Sequence, residues 1–404
     1  MKIAIFTDTF PPEVNGVANT VERQARTLCE QGHEVRVFTV SHFRAGELRR
    51  RLDAPYAIEI IPSIRVPIYM GIYVTVPIGW TLRAMRRFHP DVIHTHTPFS
   101  VGWEAVIASR MLRIPLVGTH HTFFNHYLDH IHLGYAWAQA LSWRVTVGYY
   151  NCCTIVTSPT RALADEMRRH ALKKMIITLP NPIDTTRYSP AKDAAQRREA
   201  KAAFGTSGPV LAYTGRVSYE KSIDQAIEAF ARVLKVFPGA GFLVVGDGPE
   251  RPALERFATE LHLDSHVRFT GFLYGDEFVR ALHAADAFIT ASKSENMPLA
   301  VLEAMASGLP VVAVRSLGLS EIVEDGSNGY LLAPDAPDAM ATAVERIFND
   351  ADLRARLSAR SLELGRSYSS DVIAKRLEEV YADARRLVRR PATLRRFLRH
   401  DRAV

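Results

Sequence analysis

The feature that most constrains this chain is an alternation, run through twice, of short apolar stretches and longer segments with helical spacing. Lys2–Thr7, Glu34–Val40, Asp91–His94 and Pro115–Thr119 are brief and dominated by aliphatic residues. Strands buried on both faces of a parallel sheet read this way. A helix is expected from just after Asn15 to about Glu30, closed at Gly32, and another from about Val101 to Arg113. Thr154–Thr157 and Met175–Leu179 read as the last strands of this round, which breaks at Pro180-Asn181-Pro182.

The second round opens at Val210–Thr214. A helix is predicted over Ser222–Phe237, a strand over Gly241–Val245, a helix over Pro249–Leu261 and a strand over Val267–Phe269. A helix over Gly275–Ala284, strands at Ala287–Thr290 and Pro310–Val314, and helices from Met340 onward complete it. Charged residues 187–201 read as a linker. At 404 residues the chain exceeds the size at which one core keeps growing. The expectation is therefore α/β, with two doubly wound Rossmann-like domains facing a central cleft. Their ranges are 1–185 and 186–370, followed by a tail, 371–404.

Composition agrees with a globular chain, 47% hydrophobic and 23% charged. Cys29, Cys152 and Cys153 make no disulfide framework, which fits a reducing cytoplasm. The start turns polar at Thr7-Asp8, too soon for a signal peptide, and the uncharged run Val66–Leu82 is broken by Pro and Gly, so no spanning helix is expected. The net charge of +7 favours acidic partners. The tail Arg385–Arg399 interleaves basic and apolar pairs, a pattern that suits an anionic lipid surface as well as a solvated tail. Residues 43–65 read as basic and irregular. The aromatic, Pro-rich Val66–Trp80 suits either a lipid-docking surface or a core-packed loop, and core packing is the expectation.

The candidate chemistry lies in loops after strands. Glu295 precedes a helix with Pro298 at its start, and Glu303 lies inside that helix, so both carboxylates belong to one βα unit. Arg216 and Lys221 lie in the loop after Val210–Thr214, beside a helix N-terminus, the kind of cradle a diphosphate needs. Gly16 opens the first helix, where a backbone without Cβ can approach a ligand. No Gly-x-Gly-x-x-Gly fingerprint follows the first strand, which removes the usual support for NAD or FAD. After Thr119 come His120, His121, His126, His130 and His132, with Asp129 among them. His126 and His130 have i, i+4 spacing but lack the Glu of a zinc-protease motif, so a cleft-facing histidine is the better reading than a metal site.

Glu295-x7-Glu303, the Gly215-Arg216…Lys221 loop, Gly16 and Gly246-Asp247-Gly248-Pro249 together make the chain resemble glycosyltransferase family 4 along nearly its whole length. The resemblance implies the two-domain GT-B fold and retaining transfer from a nucleotide-diphosphate sugar, with no required cofactor and Mg2+ optional. It implies that Arg216 and Lys221 hold the diphosphate, and that Glu295 binds the sugar beside the backbone amides of Asn296, Met297, Pro298 and Leu299. Pro298 itself brings no N–H to that set. Glu303 is implied to take the ribose, the backbone at Phe272 and Leu273 the base, and Gly16 the phosphates from the first domain. His121 aligns with the family's cleft histidine, with His120 its neighbour and competitor. The final helix, about Asp371–Arg390, is implied to cross back to the first domain.

Asn296-Met297-Pro298 departs from the family's usual small residues, which bears on sugar preference. Within the family, Phe6–Pro12 with Asn15–Ala18, His96–Gly102 and Thr119–Phe123 with Tyr127-Leu128 look most like bacterial diacylglycerol α-glucosyltransferases and lipid α-mannosyltransferases. The implied activity is transfer of glucose from UDP-glucose to a membrane lipid such as diacylglycerol, by an enzyme peripheral on the inner face of the cell membrane. A GDP-mannose-dependent α-mannosyltransferase is the alternative, and a non-catalytic nucleotide- or lipid-binding module is the alternative of another class. Nucleic acid, supported only by net charge, is not an expected partner.

Overall fold

A computed structural model describes residues 1–13, 15–66, 72–122 and 136–389. The chain divides into two units, Met1–Pro182 with Ser370–Val404, and Ile183–Ser369.

The first unit opens with β1 (Lys2–Phe6), α1 (Gly16–Glu30), β2 (Glu34–Thr39), α2 (Ala45–Arg51) and β3 (Ala57–Ile60). A hairpin of β4 (Ile64–Val66) and β5 (Ile72–Val74) leads through α3 (Leu82–Phe88) to β6 (Val92–Thr95). Then come α4 (Ser100–Leu112), β7 (Leu116–Thr119), α5 (Ala136–Tyr150), β8 (Ile155–Ser158), α6 (Arg161–Arg169) and β9 (Ile176–Thr178). The seven sheet strands run parallel in the order β3-β2-β1-β6-β7-β8-β9. Both faces are covered, as the period of two in β1 requires. Ile3 and Ile5 join the core containing Val21, Ala25 and Leu28 of α1, whereas Ala4 and Phe6 join the core containing Ile93, Ala105 and Val156. Each fully buried aliphatic or aromatic side chain of this kind contributes roughly 1.5–3 kcal/mol.

The second unit begins with α7 (Ala194–Ala203), β10 (Val210–Thr214), α8 (Ile223–Val236), β11 (Gly241–Val245), α9 (Arg251–Glu260) and β12 (Val267–Gly271). It continues with α10 (Gly275–Ala284), β13 (Ala287–Thr290), α11 (Leu299–Ala306), β14 (Val311–Val314) and α12 (Leu319–Ile322). β15 (Gly329–Leu332), α13 (Pro337–Asn349) and α14 (Ala351–Ser367) close it. Its six strands are also parallel, in the order β12-β11-β10-β13-β14-β15. The last helix, α15 (Ser370–Arg389), buries Ile373, Leu377, Val380, Tyr381 and Ala384 in the core that holds Ile3 and Ile5. Arg385 pairs with Asp91 at 2.8 Å, and Arg376 donates to the Thr178 carbonyl at 2.9 Å.

Three expectations need correction. Residues 187–201 are not merely a linker. Asp193 caps α7 by accepting from the Gln196 amide, and Lys201 reaches the Asp286 carboxylate at 2.7 Å, which fixes the helix to the sheet. Residues 43–65 are not irregular, since they hold α2 and the edge strand β3. The Pro-rich stretch is not a core loop over its described part: Val76 and Ile78 are 66% and 65% exposed, and Trp80 is 49% exposed. The buried Glu104 of α4 accepts from the Gly79 and Thr81 amides, so the end of this stretch is held by its backbone while Val76, Ile78 and Trp80 face outward, although Tyr73 packs against the core. His126, His130, His132, Asp129, Phe123, Tyr127, Leu128 and the tail beyond 389 lie outside the described residues.

Candidate active site

Each sheet has one place where the strand order reverses, between β1 and β6 in the first unit and between β10 and β13 in the second. Chains leaving such a pair diverge and open a crevice at the strands' carboxyl ends, where ligands bind in open α/β sheets. Gly16, Arg216, Lys221 and Glu295 follow the strands of these two reversals, whereas His121 follows β7 and Phe272 and Leu273 follow β12.

In the second unit the loop after β10 passes through Gly215, whose φ is +143°. Gly246, at φ +141°, lies so close to it that an added Cβ would stand 1.8 Å from the Gly215 carbonyl oxygen. The loops after β10 and β11 are laced by amide bonds. Gly215 donates to Val245 at 2.9 Å, Val217 to Asp247 at 3.0 Å and Glu250 back to Val217 at 3.2 Å. Tyr213, buried in β10, donates its hydroxyl to the Arg216 carbonyl at 2.9 Å and so fixes the backbone that presents the guanidinium. Burial, then the nearby Glu295 and Glu220, hold this phenol well above its usual range, so it stays a neutral donor.

A short 3-10 turn, Tyr219–Lys221, ends at Ser222 in the left-handed region, and α8 starts there with no side-chain cap. Lys221 Nζ meets Glu295 Oε1 at 2.6 Å, with the two side chains 22% and 15% exposed. The strand order joins these residues, 74 apart in sequence, because β10 and β13 are neighbours. Ser292 Oγ donates to the Glu220 carbonyl at 3.3 Å, and the Gly318 amide donates to the Glu295 carbonyl at 3.1 Å. Gly318 has no room for a side chain, since its Cβ would lie 1.3 Å from the Asn296 oxygen. Asn296, Met297 and Leu299 are buried, and Pro298 stands just before α11 in an extended conformation. Glu303 is half-buried within α11. Phe272 is 46% exposed after β12, while Leu273 packs partly buried against the small core that contains Val210, Leu243 and Val245. They share the carboxyl edge of the sheet with Glu295, and the Gly246 amide bond to Gly271, at 2.9 Å, links that loop to the Gly-rich pair.

In the first unit Asp8 follows β1. Its carboxylate accepts from Ser100 Oγ at 2.7 Å and the Val101 amide at 2.8 Å, and also from Thr97 Oγ1. Burial outweighs these bonds and raises its pKa. Asp8 thus ties β1 to the N-terminus of α4, where an acceptor is favoured. His94 bonds Tyr381 Oη at 2.8 Å and Thr119 Oγ1 at 2.7 Å. His96 Nδ1 lies 3.0 Å from His121 Nε2. Burial lowers His94 and His120 to about 3 and His121 to about 4, with His96 also well below its usual value, so all are neutral near pH 7.

His120 and His121 separate here. His120 is 1% exposed with its ring 5.0 Å from that of Tyr150, whereas His121 keeps solvent contact. Gly16 starts α1 behind the cap Asn15, which accepts from Ala18, and a Cβ on Gly16 would meet no atom of the described residues within 4 Å. Packing among the described residues therefore gives no reason for a glycine there. Among the described residues no group of three or more His, Cys, Asp or Glu is arranged to hold a metal ion. Sequence reasoning missed Asp8, Tyr213 and Gly318. Gly318 left no signal beyond being a glycine after a strand, and a buried Tyr hydroxyl aimed at a loop carbonyl leaves none.

A family model described as Glycosyltransferase Family 4 matches residues 14–187, and one described as Glycosyl transferases group 1 matches residues 195–363. The alpha-monoglucosyldiacylglycerol synthase of Streptococcus pneumoniae is 30% identical over 395 residues, covering 95% of this chain and 86% of that protein. This chain belongs to glycosyltransferase family 4. A second family relative, the GDP-mannose-dependent alpha-mannosyltransferase of Corynebacterium glutamicum, is 28% identical, covering 95% of this chain and 89% of that protein. Alr3699/HepE of Anabaena, solved with UDP-glucose, superposes with a TM-score of 0.75 at 20% identity, covering 95% of this chain and all of that one. That likeness concerns the fold, which is GT-B, two Rossmann-like α/β domains. The chain is a glycosyltransferase, and the geometry above is that of its candidate machinery.

Proposed function

We propose that this enzyme is a retaining α-glycosyltransferase that moves glucose from UDP-glucose onto a membrane lipid such as diacylglycerol, working as a peripheral protein on the inner face of the membrane. The observation that carries the donor half is the Lys221–Glu295 pair at 2.6 Å, set at the strand-order reversal of the second unit. An ammonium has three donors, so the bond to Glu295 is compatible with others to phosphate oxygens. In this reading Arg216 and Lys221 bind the diphosphate and neutralise the charge that grows on it as the glycosidic bond breaks. Glu295 receives sugar hydroxyls beside the backbone of Asn296, Met297, Pro298 and Leu299, and Glu303 receives the ribose. Phe272 and Leu273 flank the base, Gly16 approaches the phosphates and His121 meets the sugar or acceptor. Attack from the leaving-group face, assisted by the phosphate, retains configuration without a carboxylate nucleophile. Mg2+ is optional because two cations already face the leaving group.

The acceptor half draws support from the outward side chains of the first unit. Val76, Ile78 and Trp80 are joined by Trp137, Leu141 and Val145, which are 66%, 52% and 59% exposed along one face of α5. Among the described residues no helix is long and apolar enough to cross a membrane. The Streptococcus pneumoniae relative supports glucose and diacylglycerol. The Corynebacterium relative supports the second reading, GDP-mannose as donor. Nucleotide release with UDP-glucose against GDP-mannose, on vesicles with and without diacylglycerol and anionic lipid, separates them. UDP release that requires diacylglycerol is the expected result. Release of GDP from GDP-mannose only, or indifference to lipid, refutes the glucose or the lipid half respectively.

A further inference from the structure

We infer that Asp335 is a positioning residue for the donor site, a tether that sets the spacing between the segments carrying Lys221 and Glu295. This rests on the proposed role of that pair at the diphosphate and the sugar. Asp335 lies in the loop between β15 and α13. Its carboxylate accepts from Lys293 Nζ on both oxygens, at 2.6 Å each, and from Gln225 Nε2 on one. Lys293 stands two residues before Glu295 in the loop after β13, and Gln225 stands four residues after Lys221 in the first turn of α8. The contacts therefore close a ring. It runs from Lys221 to Glu295, along the chain to Lys293, across Asp335 to Gln225, and along the chain back to Lys221.

The backbone singles out the same residue. Asp335 has φ +58°, in the left-handed region that glycine enters freely and that other residues enter at a conformational cost, Asp and Asn least of all. An aspartate held there, with its side chain gathering hydrogen bonds from two other segments, is placed for that side chain. Lys293 and Asp335 are 45% and 61% exposed, and isolated exposed ion pairs contribute little. This pair differs in two respects. Both carboxylate oxygens are engaged, and the network joins the loops after β13 and β15 to the helix that follows β10. The bonds from Lys293, then Gln225, hold the Asp335 carboxyl below its usual range, so it is ionised near pH 7. Its effect falls on loop placement, and hence on donor affinity.

The test uses the full-length enzyme and whichever of UDP-glucose and GDP-mannose the wild type binds. Donor affinity is measured by calorimetry without acceptor, kcat on vesicles containing diacylglycerol, and stability by thermal melts. Asp335→Asn keeps a residue that tolerates the left-handed backbone and removes the charge, and Lys293→Met keeps an unbranched apolar stem. Each should weaken donor binding roughly fivefold with kcat nearly kept. The double variant should lose no more than one single variant, because both remove the same contact. Asp335→Gly suits the backbone and lacks the carboxylate, so it should melt near the wild-type temperature yet bind donor as weakly as Asp335→Asn. Wild-type affinity in both Asp335 variants overturns the inference, as do additive losses in the double variant or a loss of affinity that appears only with a lowered melting temperature. If Glu295→Ala has meanwhile lost transfer, the reading of the donor loop stands without the tether. Transfer at the wild-type rate by Glu295→Ala removes that reading, and the inference with it.

Discussion

The two strand-order reversals are built alike and charged in opposite styles. At β10 and β13 the loops hold an ammonium and a carboxylate in contact, with an arginine in the same loop as the ammonium, its backbone pinned by Tyr213. At β1 and β6 the side chains are neutral imidazoles, hydroxyls and one half-buried carboxyl with a raised pKa. In the proposed reading, the second unit keeps full charges where a leaving diphosphate gains charge. The first keeps neutral donors and acceptors, suited to hydroxyl groups that stay uncharged. The lesson is that one topology supplies two crevices and side-chain chemistry divides the labour between them.

The comparison breaks first at its backbone. Gly318→Ala drives a methyl group into the Asn296 carbonyl, 1.3 Å from the oxygen, and must push the Glu295 loop away. A fall in transfer of roughly a hundredfold or more is expected, together with weaker nucleotide diphosphate binding by calorimetry. A variant with unchanged kinetics would show that the loop does not hold the donor.

Acid should sharpen the contrast between the units. The folded-state values of His94, His120 and His121 lie below the ordinary 6.5, at about 3, 3 and 4. Between those values and 6.5 the unfolded chain binds more protons, so stability rises with pH and is lost as pH falls below 6.5, by about 1.4 kcal/mol per pH unit for each histidine. Asp8, raised by burial, has the opposite sign and only partly offsets three histidines. All four tryptophans, Trp80, Trp103, Trp137 and Trp143, belong to the first unit, so their fluorescence follows it alone. In the second unit His262, His266 and His283 all keep solvent contact. Thermal melts followed by tryptophan emission should shift to lower temperature between pH 7 and pH 5, and a pH-independent melt would contradict neutral burial of the cluster.

The smallest expected effect is Tyr213→Phe. It removes one hydrogen bond to the Arg216 carbonyl and leaves the ring, so a few-fold rise in donor KM is expected with kcat nearly kept. Steady-state kinetics check it, and a collapse of kcat would mean that the hydroxyl does more than hold the loop.

Much of the fold was legible because parallel strands buried on both faces leave apolar runs that helices punctuate. What failed has physical reasons. α7 buries only Ala200, so its charged sequence hid a helix whose signal was the cap Asp193. Val66–Trp80 was read as core because it is apolar, yet apolar residues cover much of any protein surface, and here the backbone rather than the side chains is tied down. The residues of the donor loops were legible as charges after strands. Their meeting was not, because it depends on β13 lying beside β10, an order no spacing reveals. His96 stood in plain view, but its contact with His121 depends on the pairing of β6 and β7.

The central claim is that the charged reversal of the second unit binds the sugar end of a nucleotide-sugar donor, and Glu295→Ala tests it most directly. Transfer measured with UDP-glucose and vesicles containing diacylglycerol should fall by about three orders of magnitude, while UDP affinity by calorimetry stays within a few-fold of wild type. Transfer at the wild-type rate by Glu295→Ala would contradict the account.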